Sequence, residues 1–206
     1  MAGIDYKRDA LRLLFILNAA KARTKKEELV GRYPYCFRGE KRLQAMDFWV
    51  RYPDYLSLEL LNQYRSSEDA SLLARAREIY DADEPSLRTI PMLRNIFGAY
   101  EPLDTALSIL ECRGLVKSDR RTTAVGHEYV FYLPPSCADF CKEVVSSYPS
   151  LGWYAERAAL VTRVAGDRSG NELKSVQHAQ REYHDTNILD HIPTITERVK
   201  AELDAA

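Results

Sequence analysis

The chain has 206 residues, 46% of them hydrophobic, with 29 basic side chains against 30 acidic ones and an isoelectric point near 6.4. That is enough chain and apolar content to bury a full core, which excludes general disorder, and the near-zero net charge excludes a protein that coats nucleic acid with its whole surface. No run approaches the ~18 apolar residues that span a bilayer, and four cysteines, Cys36, Cys112, Cys137 and Cys141, with no leading signal segment, fit a reducing cytoplasm.

The first predicted element is a helix. In DALRLLFILNAA, Ala10, Leu13, Leu14 and Leu17 follow the i, i+3, i+4, i+7 pattern, and Leu11, Phe15 and Ile16 widen the stripe. A helix apolar over most of its circumference needs partners on two sides, so this segment is expected at the centre of a core. Thr24 and Glu27 in TKKEELV have the spacing of a capping box, which predicts a short second helix there. Leu43, Met46, Phe48, Trp49 and Val50 precede Pro53, and Leu56, Leu58, Leu60 and Leu61 follow it. Proline suits a first helical turn and breaks an interior one, so two helices should meet near Tyr52.

SSEDASLLARAREIY opens with serine and acids that favour a helix N-terminus, and DADEP with Pro85 marks a boundary. Further on, Ala106, Ile109 and Leu110 belong to a helix that Gly114 ends in a left-handed cap. Residues 116–120 and 127–133 then read as two strands around the tip TTAVG, with Tyr129, Phe131 and Leu133 on one face. CADFCKEVVSSYPSLGWYAERAALVTRVAG is helical with a break at 149–152, and the last forty residues are helical and surface-rich. The expected fold is mainly α with a small β-hairpin, an α+β class in which a helical body contains a winged-helix-like unit. Its organisation is read as three consecutive blocks: a helical half over 1–84, a winged-helix-like half over 85–166, and a helical segment over 167–206.

The search for chemistry gives little. Pro53-Asp54 and Glu172-Leu173-Lys174 spell the letters of a metal-dependent nuclease, but such a site needs carboxylates on adjacent strands, and Pro53-Asp54 reads as a helix start. Cys137 and Cys141, with His127 near in sequence, lack the spacing of a zinc knuckle, and buried thiols are the plainer reading. GDRSGNELK lacks the strand and the Lys-Ser/Thr pair of a nucleotide loop, and no nucleophile motif stands out. The expectation is a non-enzyme without metal or cofactor.

Charge is more informative. Between residues 21 and 42 lie eight basic residues, Lys21, Arg23, Lys25, Lys26, Arg32, Arg38, Lys41 and Arg42, against the three acids Glu27, Glu28 and Glu40, with Tyr33, Tyr35 and Phe37 interleaved. Cations neutralise phosphates while aromatics supply contact area, so this stretch is the leading nucleic-acid candidate; a solvated face or an acidic protein partner are its alternatives. The helix-and-wing stretch is nearly balanced, with Arg113, Lys117, Arg120 and Arg121 against Glu111, Asp119 and Glu128. Arg120 and Arg121 are its candidate backbone contacts. Residues 68–104 carry eight acids against four basic residues, and opposite patches on one small protein suit docking between two different surfaces.

Four segments, DALRLLFILNAA, KRLQAMDFWVRYPDYLSLELL, LRNIFGAYEPLDTALSILECRGLVK and ERAALVTRVAGDRSGNELK, give the chain an order that resembles the middle components of bacterial ABC-three-component systems. That group includes the small accessory subunit of Lamassu anti-phage and anti-plasmid defence complexes. The resemblance implies a cytoplasmic, non-catalytic bridge without cofactor that docks on the heads of an SMC-like, Rad50-like ATPase. It implies as further partners an effector subunit, often a nuclease, and double-stranded DNA through the complex, and no membrane. It also implies partner contacts at Gly170, Asn171, Leu173 and Lys174. Family members often continue into an aromatic-proline ending, which residues 175–206 lack. The alternative reading, from the wing alone, is a free-standing winged-helix transcription regulator.

Overall fold

The computed structural model describes residues 6–81, 92–96, 98–123 and 126–206. The boundary at Pro85 and the wing tip at Ala124 and Val125 lie outside them. Helix α1 runs Tyr6–Ala19, strand β1 Ala22–Arg23, helix α2 Glu27–Val30, strand β2 Tyr35–Arg38 and helix α3 Glu40–Arg51. Helices α4, Pro53–Ser67, and α5, Ala70–Asp81, precede the short strands β3, Leu93–Asn95, and β4, Gly98–Tyr100. Helix α6, Asp104–Cys112, leads into β5, Lys117–Thr123, and β6, Gly126–Leu133. Then come α7, Pro135–Ser147, a 3₁₀ turn, Pro149–Leu151, α8, Gly152–Ala165, α9, Gly170–His178, α10, Arg181–Asp185, and α11, Thr196–Asp204. The protein is mainly α with a small antiparallel sheet, the class the periodicities predict.

Two compact units divide the chain, and both are discontinuous: Met1–Asp47 with Glu101–Leu173, and Phe48–Tyr100 with Lys174–Ala206. These three divisions fall inside α3, directly after β4 and inside α9 rather than at the block edges read from the sequence. In the first unit α1 is the central helix, with Leu13, Leu14, Ile16 and Leu17 fully buried, and it packs on α6, α7 and α8. Phe15 stacks on Tyr154 of α8 at 6.1 Å between ring centroids. One polar group interrupts this apolar helix: Arg12 is buried and donates through Nε and Nη2 to the two carboxylate oxygens of buried Asp47, at 2.5 and 3.2 Å. Asp9 takes a further bond at 2.6 Å, and Glu101 lies 3.8 Å away. The paired carboxylates overcome the burial that disfavours the charge and hold the Arg12 pKa above its ordinary value.

The sheet has the order β1-β2-β6-β5, antiparallel throughout, with Tyr35 opposite Leu133 and Arg38 opposite Val130. Taken in order, α1, β2, the start of α3, α6, β5 and β6 have winged-helix-like connectivity, the first strand pairing with the last. The winged-helix-like unit thus draws its first half from residues 6–47, and residues 48–100 intervene between its second and third helices. The first strand escaped the sequence reading because YCFR is only four residues long and lacks a clean alternation. Gly39, at φ +89°, extends the ladder by donating to Tyr129 O and then accepts from Leu43 as α3 begins. The capping box expected at Thr24 does not form. Thr24 N donates to Pro34 O beside the β1–β2 ladder, so the chain is still extended there, and α2 opens later with Lys26 as its N-cap.

In the second unit α4 packs on α5, and α11 joins both. Residues 54–61 of α4 are all buried, and Phe48 gathers Tyr52, Tyr55 and Tyr183 around its ring at 4.6, 4.9 and 6.1 Å. The C-terminal stretch, without an assigned role from sequence, closes this unit. Thr194 Oγ1 and Ile195 N both donate to Asp54 Oδ2 at 2.7 Å, Tyr52 donates to Ile192 O, and Val199 and Leu203 are buried.

Removing one partner of a buried ion pair leaves an uncompensated charge, at a cost of about 3–5 kcal/mol out of a total stability of about 5–15. Asp47→Ala should therefore shift the urea unfolding midpoint strongly downward, while Asp139→Ala, whose pairing with Lys142 is exposed, should leave it nearly unchanged.

Candidate nucleic-acid interface

Alternation along β2 and β6 gives the sheet two faces. Phe37, Phe131 and Leu133 lie on one and are fully buried; Cys36, Val130 and Tyr132 lie on the other and are buried as well. The second face is closed by the excursion between β1 and β2, through Leu29 and Tyr33, and Tyr33 meets the Tyr132 ring at 6.1 Å. That small second core is the base of the basic surface.

At its margin Lys25, Lys26, Arg38 and Arg121 line a single cavity of about 240 Å³ together with Thr24, Cys36, Val130 and Tyr132. Four cations and no acid are therefore among its lining residues. The guanidinium of Arg121 lies over the Tyr132 ring, 5.4 Å from its centroid, and donates through Nε to Asp119 at 3.4 Å. In sequence, Arg38 belongs to the basic stretch and Arg121 to the wing. The β2–β6–β5 ladder brings them to one place, and the two candidate patches become one surface.

The remaining candidates have more varied places. Lys21 and Arg23 lie over the Tyr35 ring at 5.0 and 4.8 Å, and Lys21 also donates to Asn18. Arg32 and Lys117 flank Tyr33 in the same way. Arg120 is exposed on β5, opposite Tyr129. Lys41 and Arg42 line a wider groove of about 470 Å³ with Gly170, Asn171, His127 and Tyr129. Lys41 donates to Asn171 across it, at 3.3 Å. Arg42 serves the fold: it donates to the carbonyls of Arg168 and Gly166 at 3.1 and 2.7 Å, and its guanidinium covers the Phe37 ring at 5.3 Å. Burial pulls its pKa below the ordinary arginine value, with Asp167 opposing.

One of the expected partner contacts needs correction. Leu173 is fully buried and belongs to the core, where a hydrophobic side chain on the inward face of α9 is drawn. Gly170 packs against the start of α3: a Cβ there would meet Arg42 N at 2.7 Å and Lys41 Cβ at 2.8 Å. Its lack of a side chain therefore serves a close approach within the chain. Asn171 is exposed on the groove, and Lys174 is half-buried in the second unit beside Gly98.

Helix α6, the third helix of the winged-helix-like order, contains Asp104 and Glu111 and no basic residue. Burial and then Asp104 raise the pKa of Glu40 above the usual carboxylate range. The two carboxylates of the nuclease letters serve the fold at separate places. Asp54 receives the C-terminal stretch as described, and Glu172 forms a capping box with Ser169, whose N–H donates to Glu172 Oε2 at 2.7 Å. Cys137 and Cys141 are buried in α7, and the hydrogen bond between their thiols lowers the pKa of Cys137 and, with burial, raises that of Cys141. Among the described residues no group of three His, Cys, Asp or Glu side chains could hold a metal ion, and no helix is long and apolar enough to cross a membrane.

Compared with protein-family models, curated proteins and solved structures, the chain matches none. Four residues of the cavity, Thr24, Cys36, Val130 and Tyr132, were not candidates from the sequence. For Val130 and Tyr132 the signal was indirect: VFYL carries a large apolar or aromatic side chain at every position, which indicates a strand covered on both sides.

Gly170 gives a direct check on the groove. Gly170→Val should destabilise the chain by about 1–3 kcal/mol through overpacking against α3, whereas Asn171→Val, exposed beside it, should stay within about 0.5 kcal/mol. Thermal unfolding of the two variants side by side decides it.

Proposed function

We propose that this chain is a non-catalytic accessory subunit of an SMC-like, Rad50-like ATPase complex of the Lamassu type. In this reading it docks on the ATPase heads, contacts DNA phosphates within the complex, and helps hold an effector nuclease in check until DNA is sensed. The observation that carries the reading is the distribution of charge on the winged-helix-like unit. Its third helix, the element that enters the major groove in helix-turn-helix proteins, offers acids and no cation, while the cations gather at the sheet margin. Such a surface suits touching a phosphate backbone and not reading bases. A free-standing regulator needs the reverse arrangement.

The groove with Lys41 and Asn171 is the second half of the proposal. Its lining includes Lys41 and Arg42 as well as Glu40 and Glu128, a mixed polar surface suited to a protein partner. Effector identity follows from the genes that accompany this one, and an adjacent Rad50-like ATPase is the partner to test first.

Co-expressed with such an ATPase, the chain should co-elute with it in fixed stoichiometry, and elution of the two as separate species overturns the proposal. Alone, it should bind a short duplex only weakly, about 10⁻⁴–10⁻⁶ M at physiological salt, without sequence preference. In the complex, reversing Lys25, Lys26 and Arg38 to Glu should lower the slope of log affinity against log salt by up to about three. Arg42 is left unchanged, because its loss would disturb the fold. Tight, sequence-selective binding by the isolated chain would instead favour the transcription regulator.

A further inference from the structure

We infer that the cavity at the margin of the sheet's second face is a built binding site for a phosphomonoester group. Its lining combines two kinds of donor, cationic and hydroxyl. Lys25, Lys26, Arg38 and Arg121 converge on it with no acid among the lining residues, and Asp119 meets Arg121 at its Nε edge. Beside them Thr24 and Tyr132 are 7% and 1% exposed, and both hydroxyls lack a hydrogen-bond partner among the described residues. A buried hydroxyl without a partner costs about 1–3 kcal/mol, so folded proteins keep few of them. Both belong to residues that line the same cation-rich cavity; neither oxygen is open to it, and each donates once an oxyanion bound among the cations draws its side chain toward it.

Size and charge select the anion. The volume of about 240 Å³ is below the ~300–1,000 Å³ of pockets that enclose a drug-sized ligand, so the cavity takes a head group and leaves the rest of the molecule outside. A phosphomonoester carries about −1.5 to −2 charges at neutral pH and three terminal oxygens, which matches four cations and two hydroxyls. An internal phosphodiester has one charge and two free oxygens. It lies along a surface, where it would meet the exposed lysines and not the buried hydroxyls. Arginine, with its planar fork, is the side chain suited to gripping such a group, and the Tyr132 ring beneath Arg121 fixes one fork in place.

The site stands independently of assembly with an ATPase. A soluble phosphate ester and the phosphorylated end of a nucleic acid share this chemistry, and one experiment separates them. The full chain is titrated with inorganic phosphate, with adenosine monophosphate, with adenosine, and with an oligonucleotide bearing or lacking a 5′-phosphate, followed by calorimetry and thermal unfolding. Phosphate and the monophosphate should bind saturably and adenosine should not. A preference of the oligonucleotide for its 5′-phosphate identifies a nucleic-acid terminus as a source, and binding of the mononucleotide alone identifies a soluble ester.

Arg38→Gln should weaken phosphate binding roughly tenfold or more; should that variant fail to fold, Lys25→Gln carries the same test. Tyr132→Phe gives the decisive sign: it should raise the unfolding temperature of the ligand-free chain, because an orphan hydroxyl is removed, and yet weaken phosphate binding. The inference is overturned if neither phosphate nor the monophosphate binds, or if their binding is unchanged in Arg38→Gln or Tyr132→Phe.

Discussion

The antiparallel pairing of Tyr35–Arg38 with Val130–Leu133 is the constraint on which the first unit depends. Without it β1 and α2 would have no ladder joining them to the rest of the unit, and β5–β6 would be a two-stranded hairpin, marginally stable in water. With it the sheet has four strands and two apolar faces. Phe37, Phe131 and Leu133 serve one, and Cys36, Val130 and Tyr132 serve the other. The same four residue pairs bring two of the margin's cations together, because Arg38 is the last rung of one ladder and Arg121 stands two residues past the β5 position that shares its β6 partner, Val130.

A second, more local constraint acts on the helices. Arg12 sits in the one polar position of the buried face of α1 and is answered by Asp47 at both ends of its fork, with Asp9 completing the arrangement. Apolar packing alone would let α1 slide against its neighbours at little cost, whereas a bidentate pair has one register. The second unit uses a comparable device: Asp54, fully buried, fixes the entry of the C-terminal stretch through Thr194 and Ile195. In both units buried carboxylates tie together segments distant in sequence.

Much of this was legible in the sequence. The central helix, the junction at Tyr52, the cap at Gly114 and the break at 149–152 all appear where periodicity, proline and glycine indicate. What escaped depends on partners far away in the chain. YCFR reveals nothing until Val130–Leu133 is beside it. Thr24 and Glu27 have capping spacing, but Thr24 is held by the strand ladder, so local preference yields to tertiary pairing. Of the site, the individual cations were visible and their convergence was not. Charge can be counted along a sequence, whereas the union of Arg38 with Arg121 requires the register of three strands. The buried hydroxyls were hidden for the same reason, since burial of Tyr132 depends on the excursion that covers the second face.

The long interval between β2 and β6 also orders events during synthesis. Once Tyr35–Arg38 leaves the ribosome, about ninety residues must follow before its partner is complete. At 5–20 residues per second that is a wait of roughly 5–20 s, far longer than the microseconds in which a hairpin or helix can form. Throughout this time the strand can pair with β1 on one edge, but its other edge and its apolar side chains, Cys36 and Phe37, lack their β6 partners. Helices α4 and α5 emerge inside the same interval and can pair with each other, yet the helix that seals them, α11, follows more than a hundred residues later. Neither unit is finished in the order in which its parts are made. The first stays open until Leu173 has emerged and the second until α11 has, so a truncation that removes α11 would leave the second unit unsealed while the first still closes.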